Sequence, residues 1–262
     1  MQTVNFLGRP LLTGNLEEIA NWLISLVQED SQPPQIVSHV NANNYYHLSK
    51  NPIIYDALVS SSYLLFDGIG MKLSACLLNQ GWLPDLNGTD LFPLVMARLE
   101  RAAIPVYFLG ADECSISNAV KRTCIQWPRV RVVGFSSGYF SADHEDKIVR
   151  AVNASGAKLL LVGRGFPRQE LFSLRNRHQF EVSLIWNVGG LFDFVSGAKP
   201  RAPVWLRQQH LEWLFRLTLE PRRLWHRTFV VGPWLLNHIL IQKFFNRGDE
   251  SEVKLRGMYD YN

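Results

Sequence analysis

Residues 158–172 read KLLLVGRGFPRQELF. An apolar run ends in a glycine, a second glycine follows two positions later, and a proline opens a segment of helical period. A run with no polar alternation predicts a strand buried on both faces, as in a parallel sheet covered by helices. An arginine and a phenylalanine stand among the glycines and the proline, where a plain turn needs neither. Their reason has to be sought in how the other strands end.

The same unit recurs along the chain. Apolar runs QIVSHV (35–40), SYLLF (62–66), IPVYFLG (104–110), RVRVVGF (129–135) and VSLIWNV (182–188) alternate with segments of helical period. Those segments cover 43–61, broken or kinked at Pro52, then 68–79, 90–102, 113–127, 143–155 and 167–179. Thr89 is the expected N-cap of the 90–102 helix, with Pro93 near its first turn. This alternation predicts an α/β fold, a Rossmann-like parallel sheet with helices on both faces. After about residue 200 the strands stop. Residues 203–220 and 222–245 then read as two helices divided at Pro221, a C-terminal helical appendage, and the polar tail 248–262 is expected to fray.

A chain of 262 residues, 47% hydrophobic and 19% charged, has ample material for a core, which excludes disorder of the whole chain. The three cysteines, Cys76, Cys114 and Cys124, lack metal or CxxC spacing and are expected to be reduced, mostly buried thiols of a cytosolic protein. No secretory leader is expected from MQTVNFLGRP, and FVVGPWLLNHILI (229–241) is too short to span a bilayer. Charge is uneven. Between Arg201 and Arg247 stand eight Lys/Arg against Glu212 and Glu220, although the whole chain carries only +4. An anionic partner is therefore expected to meet the C-terminal segment.

Ligands of parallel sheets bind beyond the carboxyl ends of the strands. Here those ends carry Asn41, Asn43 and Asn44; Asp67, Gly68 and Gly70; Gly138 and Tyr139; Gly163, Gly165 and Gln169; and Gly189, Gly190 and Asp193. Five strand ends bearing glycine, amide or carboxylate argue for a cleft. Glycines let backbone approach a ligand, and a helix opened by Pro167 offers free N–H groups to an anion. The third glycine of GxGxxG is missing, so a dinucleotide site, and with it an oxidoreductase, is not supported.

Taken together, HVNANN (39–44), FDGIG (66–70), NGTDL (87–91), GYF (138–140), GFPRQE (165–170), NVGGLFDFVSGAKPRAP (187–203) and LEWLFRLTLEPRRL (211–224) run in one order over roughly residues 35–230. This set resembles the WecG/TagA/CpsF family of bacterial glycosyltransferases, which elongate lipid-linked sugars on the cytoplasmic membrane face. The resemblance implies an inverting transfer from a UDP-sugar to a polyprenyl-diphosphate-linked sugar acceptor. It implies a catalytic domain over residues 1–200 and a membrane and acceptor appendage over 201–247, on a protein held peripherally at the inner face of the cytoplasmic membrane. Asp67 would be the general base; capping of the helix at 69 is its competing role. Asn41, Gly165 and Gln169 would contact sugar or phosphate, with helix capping the alternative for the two amides. Tyr139 and Asp193 would meet the uracil, against a half-buried aromatic and a solvated carboxylate. Arg216, Arg223 and Arg227 would serve the diphosphate.

The sequence departs from the family pattern at His39, where many members have Thr, and at Asp85, where many have Arg. Both positions bear on the donor sugar. No DxD pair occurs, and Asp143, Glu145 and Asp146 read as a solvated helix start, so no metal or other cofactor is expected. Trp205, Trp213, Trp225 and Trp234, with Phe229, Leu235, Leu236, Ile239 and Leu240, supply an apolar stripe beside the arginines, the composition of a helix lying on an anionic membrane. Removal of 201–262 is expected to spare the core. A non-enzymatic nucleotide- or nucleic-acid-binding protein is the alternative suggested by the basic pI. No RNA- or DNA-binding motif supports it, and no nucleic-acid partner is expected. Homo-oligomerisation stays open.

Overall fold

The computed structural model describes residues 1–6 and 9–245; the tail expected to fray and Arg247 lie outside the described residues. In chain order the elements are β1 (Gln2–Phe6), β2 (Arg9–Thr13), α1 (Leu16–Gln28), β3 (Gln35–Val40), α2 (Ala42–Leu48), α3 (Pro52–Val59), β4 (Tyr63–Phe66), α4 (Ile69–Leu77) and α5 (Gly88–Ala102). Then come β5 (Pro105–Gly110), α6 (Glu113–Gln126), β6 (Arg131–Ser136), α7 (Glu145–Ala154), β7 (Leu159–Gly163), α8 (Arg168–Arg175), β8 (Leu184–Asn187) and α9 (Leu191–Val195). The appendage comprises α10 (Val204–Gln208), α11 (Glu212–Leu219), α12 (Pro221–His226), a π-helical turn over Arg227–Val231 and α13 (Gly232–Phe245).

The eight strands lie in the order β1-β2-β4-β3-β8-β7-β5-β6, and every pairing but β1 with β2 is parallel. Side chains alternate across each strand, so Val37, Leu65, Leu161 and Trp186 face one core and Ile36, Phe66, Leu160 and Ile185 the other side. The first side is covered by α1, α5, α6 and α9, the second by α2, α4, α7, α8 and α13. The chain thus leaves β3 toward one face and β8 toward the opposite face. A crevice opens between their carboxyl ends, as expected where adjacent connections diverge.

Several expectations need correction. Strand β1 is antiparallel, so the sheet is not wholly parallel. Helix α5 is capped by Asn87, whose Oδ1 accepts from the Asp90 N–H at 3.0 Å; Thr89 donates its hydroxyl to the same oxygen at 2.7 Å. All three cysteines are exposed, because they sit on the outward faces of α4 and α6. The 203–220 segment breaks at His210, which adopts φ +60°, while the division at Pro221 is present. Glu145 is buried rather than solvated, held by Arg175 at 2.5 Å and the Asn176 amide at 2.9 Å. The apolar stripe is also split. Leu235 and Ile239 are fully buried with α4 in the second core, whereas Phe229, Leu236 and Leu240 are exposed.

Candidate functional site

Asp67 follows β4 at the crevice, with its N–H bonded to the Val40 carbonyl of the neighbouring strand at 3.0 Å. It does not cap α4: Gly68 holds that position, at φ +92°, without a side-chain cap. Asn41 caps α2 with Oδ1, accepting from Asn43 and Asn44 N–H at 3.1 and 3.2 Å, so its Nδ2 is left to face Asp67 Oδ2 at 3.4 Å. Burial pushes the Asp67 carboxyl above the usual carboxylate range. Arg227, the Asn41 bond and Arg216 pull against that shift.

A second carboxylate stands beside the first. Asp85 Oδ1 accepts the Gly68 N–H at 2.9 Å, and burial, then the Asp67 charge, pushes its carboxyl up to about 6. His39, buried in β3, accepts the indole N–H of Trp186 on Nε2 at 2.9 Å. Burial lowers the ring to about 4, so the imidazole is neutral. With Nε2 accepting, the proton resides on Nδ1. That nitrogen is buried and has no hydrogen-bond partner among the described residues.

Across the crevice, Gly165 at φ +72° and Gly189 at φ +61° adopt backbone that other residues resist, and each has open space where a Cβ would lie. Gln169 joins them from within α8. Its Oε1 accepts the Gly189 N–H at 2.9 Å and its Nε2 donates to Glu170 at 2.8 Å, so it is a buried bridge rather than a cap. Arg164 reaches to the end of β6, donating to the Gly138 carbonyl at 2.9 Å and the Phe140 carbonyl at 3.3 Å, with its guanidinium 3.7 Å from the Phe140 ring centre. An open cavity of about 420 Å³ is lined there by Gly138, Tyr139, Phe140, Ser141, Arg164 and Arg168. Tyr139 is 73% exposed rather than half-buried. Asp193 is paired with Lys199 at 2.7 Å rather than merely solvated.

The appendage brings its arginines toward Asp67. Arg216 pairs with Glu212, lies 4.6 Å from the Phe194 ring centre and keeps a buried Nε without a partner among the described residues. Arg223 is more exposed and pairs with Glu220. Arg227, at the start of the π-helical turn, interacts with the Asp67 charge. The arrangement places a carboxylate, a fixed amide and guanidinium groups at one end of the crevice. Glycine backbone and an aromatic ring occupy the other.

The model of the Glycosyl transferase WecG/TagA/CpsF family matches residues 4–249. The chain belongs to this family. Among curated proteins it is similar to the N-acetylglucosaminyldiphosphoundecaprenol N-acetyl-beta-D-mannosaminyltransferase of Bacillus subtilis (strain 168), 27% identical over 258 residues, 97% of this chain and 99% of that protein. The enzyme of the same name from Bacillus spizizenii (strain ATCC 23059 / NRRL B-14472 / W23) is 31% identical over 190 residues, 72% of this chain and 73% of that protein. A WecG/TagA/CpsF chain is a glycosyltransferase, and this one has the α/β fold its motifs implied.

Within this WecG/TagA/CpsF chain the sequence did not single out Glu170, Lys199 or the tie from Arg164 to the 138–140 turn. Arg164 carried a signal, a cation in an otherwise apolar strand end. Glu170 carried none, since its burial is decided by contacts distant in sequence.

Proposed function

We propose that the protein transfers a hexosyl or N-acetylmannosamine-type sugar, with inversion, from a UDP-sugar to a polyprenyl-diphosphate-linked acceptor during synthesis of a bacterial surface polysaccharide. The carrying observation is Asp67: a carboxyl at a strand end, fixed by Asn41, faced by Arg227 and raised by burial above the usual carboxylate range. In this reading Asp67 takes the proton of an acceptor hydroxyl as its oxygen attacks the anomeric carbon. The bond to the UDP oxygen breaks and its electron pair leaves with UDP. Arg216, Arg223 and Arg227 offset the negative charge on the diphosphate, and backbone N–H groups near Gly165 and Gly189 contribute to the same end.

The uracil would lie near Tyr139 and Asp193, the phosphates over Gly165 and Gln169, and the sugar near Asn41 and Asp67. From β6 to β4 the sheet presents Tyr139, then Gly165 and Gln169 after β7, Asp193 after β8, Asn41 after β3 and Asp67 after β4, so in this reading the donor runs from β6 towards β4 with Asp193 reaching back across the phosphate positions. Metal independence is part of this reading and rests on the lack of DxD. The names of the two Bacillus relatives support a polyprenyl-linked N-acetylglucosamine acceptor.

Residues 1–200 form the catalytic unit in this reading, and 201–247 serve the acceptor and the membrane. Among the described residues no helix is long and apolar enough to cross a membrane. Exposed Trp205, Trp213, Trp225 and Phe229 beside basic residues support peripheral binding to the anionic inner face of the cytoplasmic membrane. The deciding experiment incubates the protein with a panel of UDP-sugars and a polyprenyl-diphosphate-linked acceptor and measures UDP release. No release with any donor overturns the reading.

A further inference from the structure

Tyr46, buried on α2, is surrounded by basic side chains. The ring centre of His47 lies 5.5 Å from that of Tyr46 and the ring centre of His226 lies 6.0 Å from it, both rings nearly perpendicular to the tyrosine. Lys50, just past the Ser49 cap of α2, donates from Nζ to the Tyr46 hydroxyl at 2.6 Å, which leaves its other donors for a ligand. Phe166 borders the group from the loop after β7, its ring centre 6.0 Å from that of His47. The phenylalanine that a plain turn does not need thus stands against a basic cluster.

No acid balances these groups. Burial, then the His226 and Lys50 charges, hold the His47 ring below the ordinary imidazole value, and no carboxylate among the described residues acts on it. Cationic groups gathered without a counter-ion repel one another, and an anion set among them relieves the repulsion.

Placement separates this cluster from the arginines near Asp67. Arg227 acts on the Asp67 charge, whereas His226, its neighbour in the chain, packs on Tyr46. Asn41, the N-cap of α2, faces Asp67 at 3.4 Å, and His47 follows about 9 Å further along the helix axis. An acceptor hydroxyl activated by Asp67 belongs to a sugar ring whose diphosphate is attached on the far side. The two anchor points are therefore set apart by about one sugar unit, the separation that α2 provides. Next to His226 stand Trp225, 54% exposed with its ring centre 6.4 Å away, and, past Arg227, Phe229, 62% exposed. They give a polyprenyl chain an apolar continuation. Transfer also requires two diphosphates to be held at once, one of the donor and one of the acceptor, so one set of cations does not suffice.

We propose that His47 and Lys50, with His226 beside them, form a second anion site that holds the diphosphate of the lipid-linked acceptor, separate from the groups that serve UDP. This rests on the reading of the protein as a UDP-sugar transferase with Asp67 as base. In it α2 sets the distance between the chemistry and the carrier: Asn41 at its start meets the reacting end, and His47 and Lys50 at its finish hold the phosphate end.

The test uses a short-chain, water-soluble polyprenyl-diphosphate-linked N-acetylglucosamine, so that acceptor binding is read without a membrane. KM for this acceptor and for the UDP-sugar are measured by UDP release in the wild type and in His47→Gln with Lys50→Gln. Melting temperature and titration with UDP verify that the variant is folded, and Lys50→Gln alone, at an exposed side chain, repeats the test if the pair is unstable. The acceptor KM should rise on the order of tenfold or more, while the donor KM and the affinity for UDP stay within about twofold. An unchanged acceptor KM overturns the inference, as does a rise confined to the donor KM. Sedimentation with phosphatidylglycerol vesicles separates the acceptor from lipid headgroups: loss of vesicle binding with an unchanged acceptor KM assigns the cluster to the membrane and overturns it too. Each of these outcomes leaves the transferase reading intact. If the wild type releases no UDP with any donor, both fall.

Discussion

Asn41 and Asp67 stand 3.4 Å apart, and the orientation of the amide between them is set by a helix. Because Oδ1 of Asn41 is occupied by the Asn43 and Asn44 N–H groups, only Nδ2 can face the carboxylate. Replacement of Asn41 by Asp keeps the cap, since Asp caps as well as Asn, but sets a second negative charge against Asp67. We expect Asn41→Asp to retain its melting temperature to within a few degrees while transfer falls more than tenfold. A variant of unaltered activity would show that this contact does not matter for turnover.

Asp67→Asn should lose transfer by a factor of about 10²–10⁴, the usual range for general-base help. Affinity for UDP should stay nearly the same, because a base acts on the acceptor. Isothermal titration with UDP beside a turnover assay separates the two. Wild-type turnover in Asp67→Asn would remove Asp67 from the chemistry.

Transfer should persist in excess EDTA. Asp67 and Asp85, neighbours at the end of β4, carry charges that repel, Asp193 is paired with Lys199, and among the described residues no three His, Cys, Asp or Glu side chains gather into a group able to hold an ion. Strict dependence on added Mg²⁺ or Mn²⁺, restored after chelation, would contradict this.

Glu170 makes stability depend on pH in a direction opposite to that of a salt-bridged acid. Burial raises its carboxyl from the ordinary 4.5 to about 7, and Oε2 has no partner among the described residues. Between those values the folded state holds a proton that the unfolded state has released. The contribution is therefore complete below about 4.5 and is lost as pH rises through about 7, by about 3 kcal/mol. Glu170→Gln keeps an oxygen for Gln169 and removes the titration. Urea unfolding should find the variant close to the wild type at pH 4.5 and more stable by about 3 kcal/mol at pH 8. A gap that does not widen with pH would show that Glu170 ionises normally.

Removal of 201–262, expected from the sequence to spare the core, would instead take Leu235 and Ile239 out of it. Loss of one large aliphatic side chain from a core costs about 2–5 kcal/mol, so a truncated chain would report on folding and membrane binding together. Point changes avoid this. Trp205→Ser, Trp225→Ser and Phe229→Ser alter side chains at least half exposed. Combined, they should abolish sedimentation with anionic vesicles at low salt without lowering thermal stability. Arg216→Ala with Arg223→Ala should reduce transfer more than vesicle binding. Full-length protein that stays in the supernatant would exclude the membrane role.

The crevice was legible because buried parallel strands announce themselves as unbroken apolar runs, and the residues just past each run must lie at one edge of the sheet. That reasoning located Asn41, Asp67, Gly165, Gln169 and Asp193 without any contact being known. It failed where pattern is weak. QTVNF and RPLLT form β1 and β2, yet β1 is mostly solvated and β2 contains Pro10, so neither reads as a buried strand. It failed again where a partner far along the chain decides a side chain's state. Glu145 looks solvated beside Asp143 and Asp146 until Arg175 and Asn176 are brought to it. Cys114 and Cys124 were expected inside on residue type alone, but the phase of α6 turns them out.

The stretch from α10 through α12 is anchored at both ends. Arg201 is clamped to Asp90 at 2.5 Å next to the buried Ala202, and α13 is sunk into the core by Leu235 and Ile239. Such a stretch is a bridge with two abutments. Near its midspan, beside the arginines around Pro221, it has a third support, for Leu224 is buried and Glu220 pairs with Lys199 at 3.2 Å. In the proposed reading a long lipid-linked acceptor would not be threaded under a closed arch but would enter from the open side, along the exposed Trp205, Trp213 and Trp225.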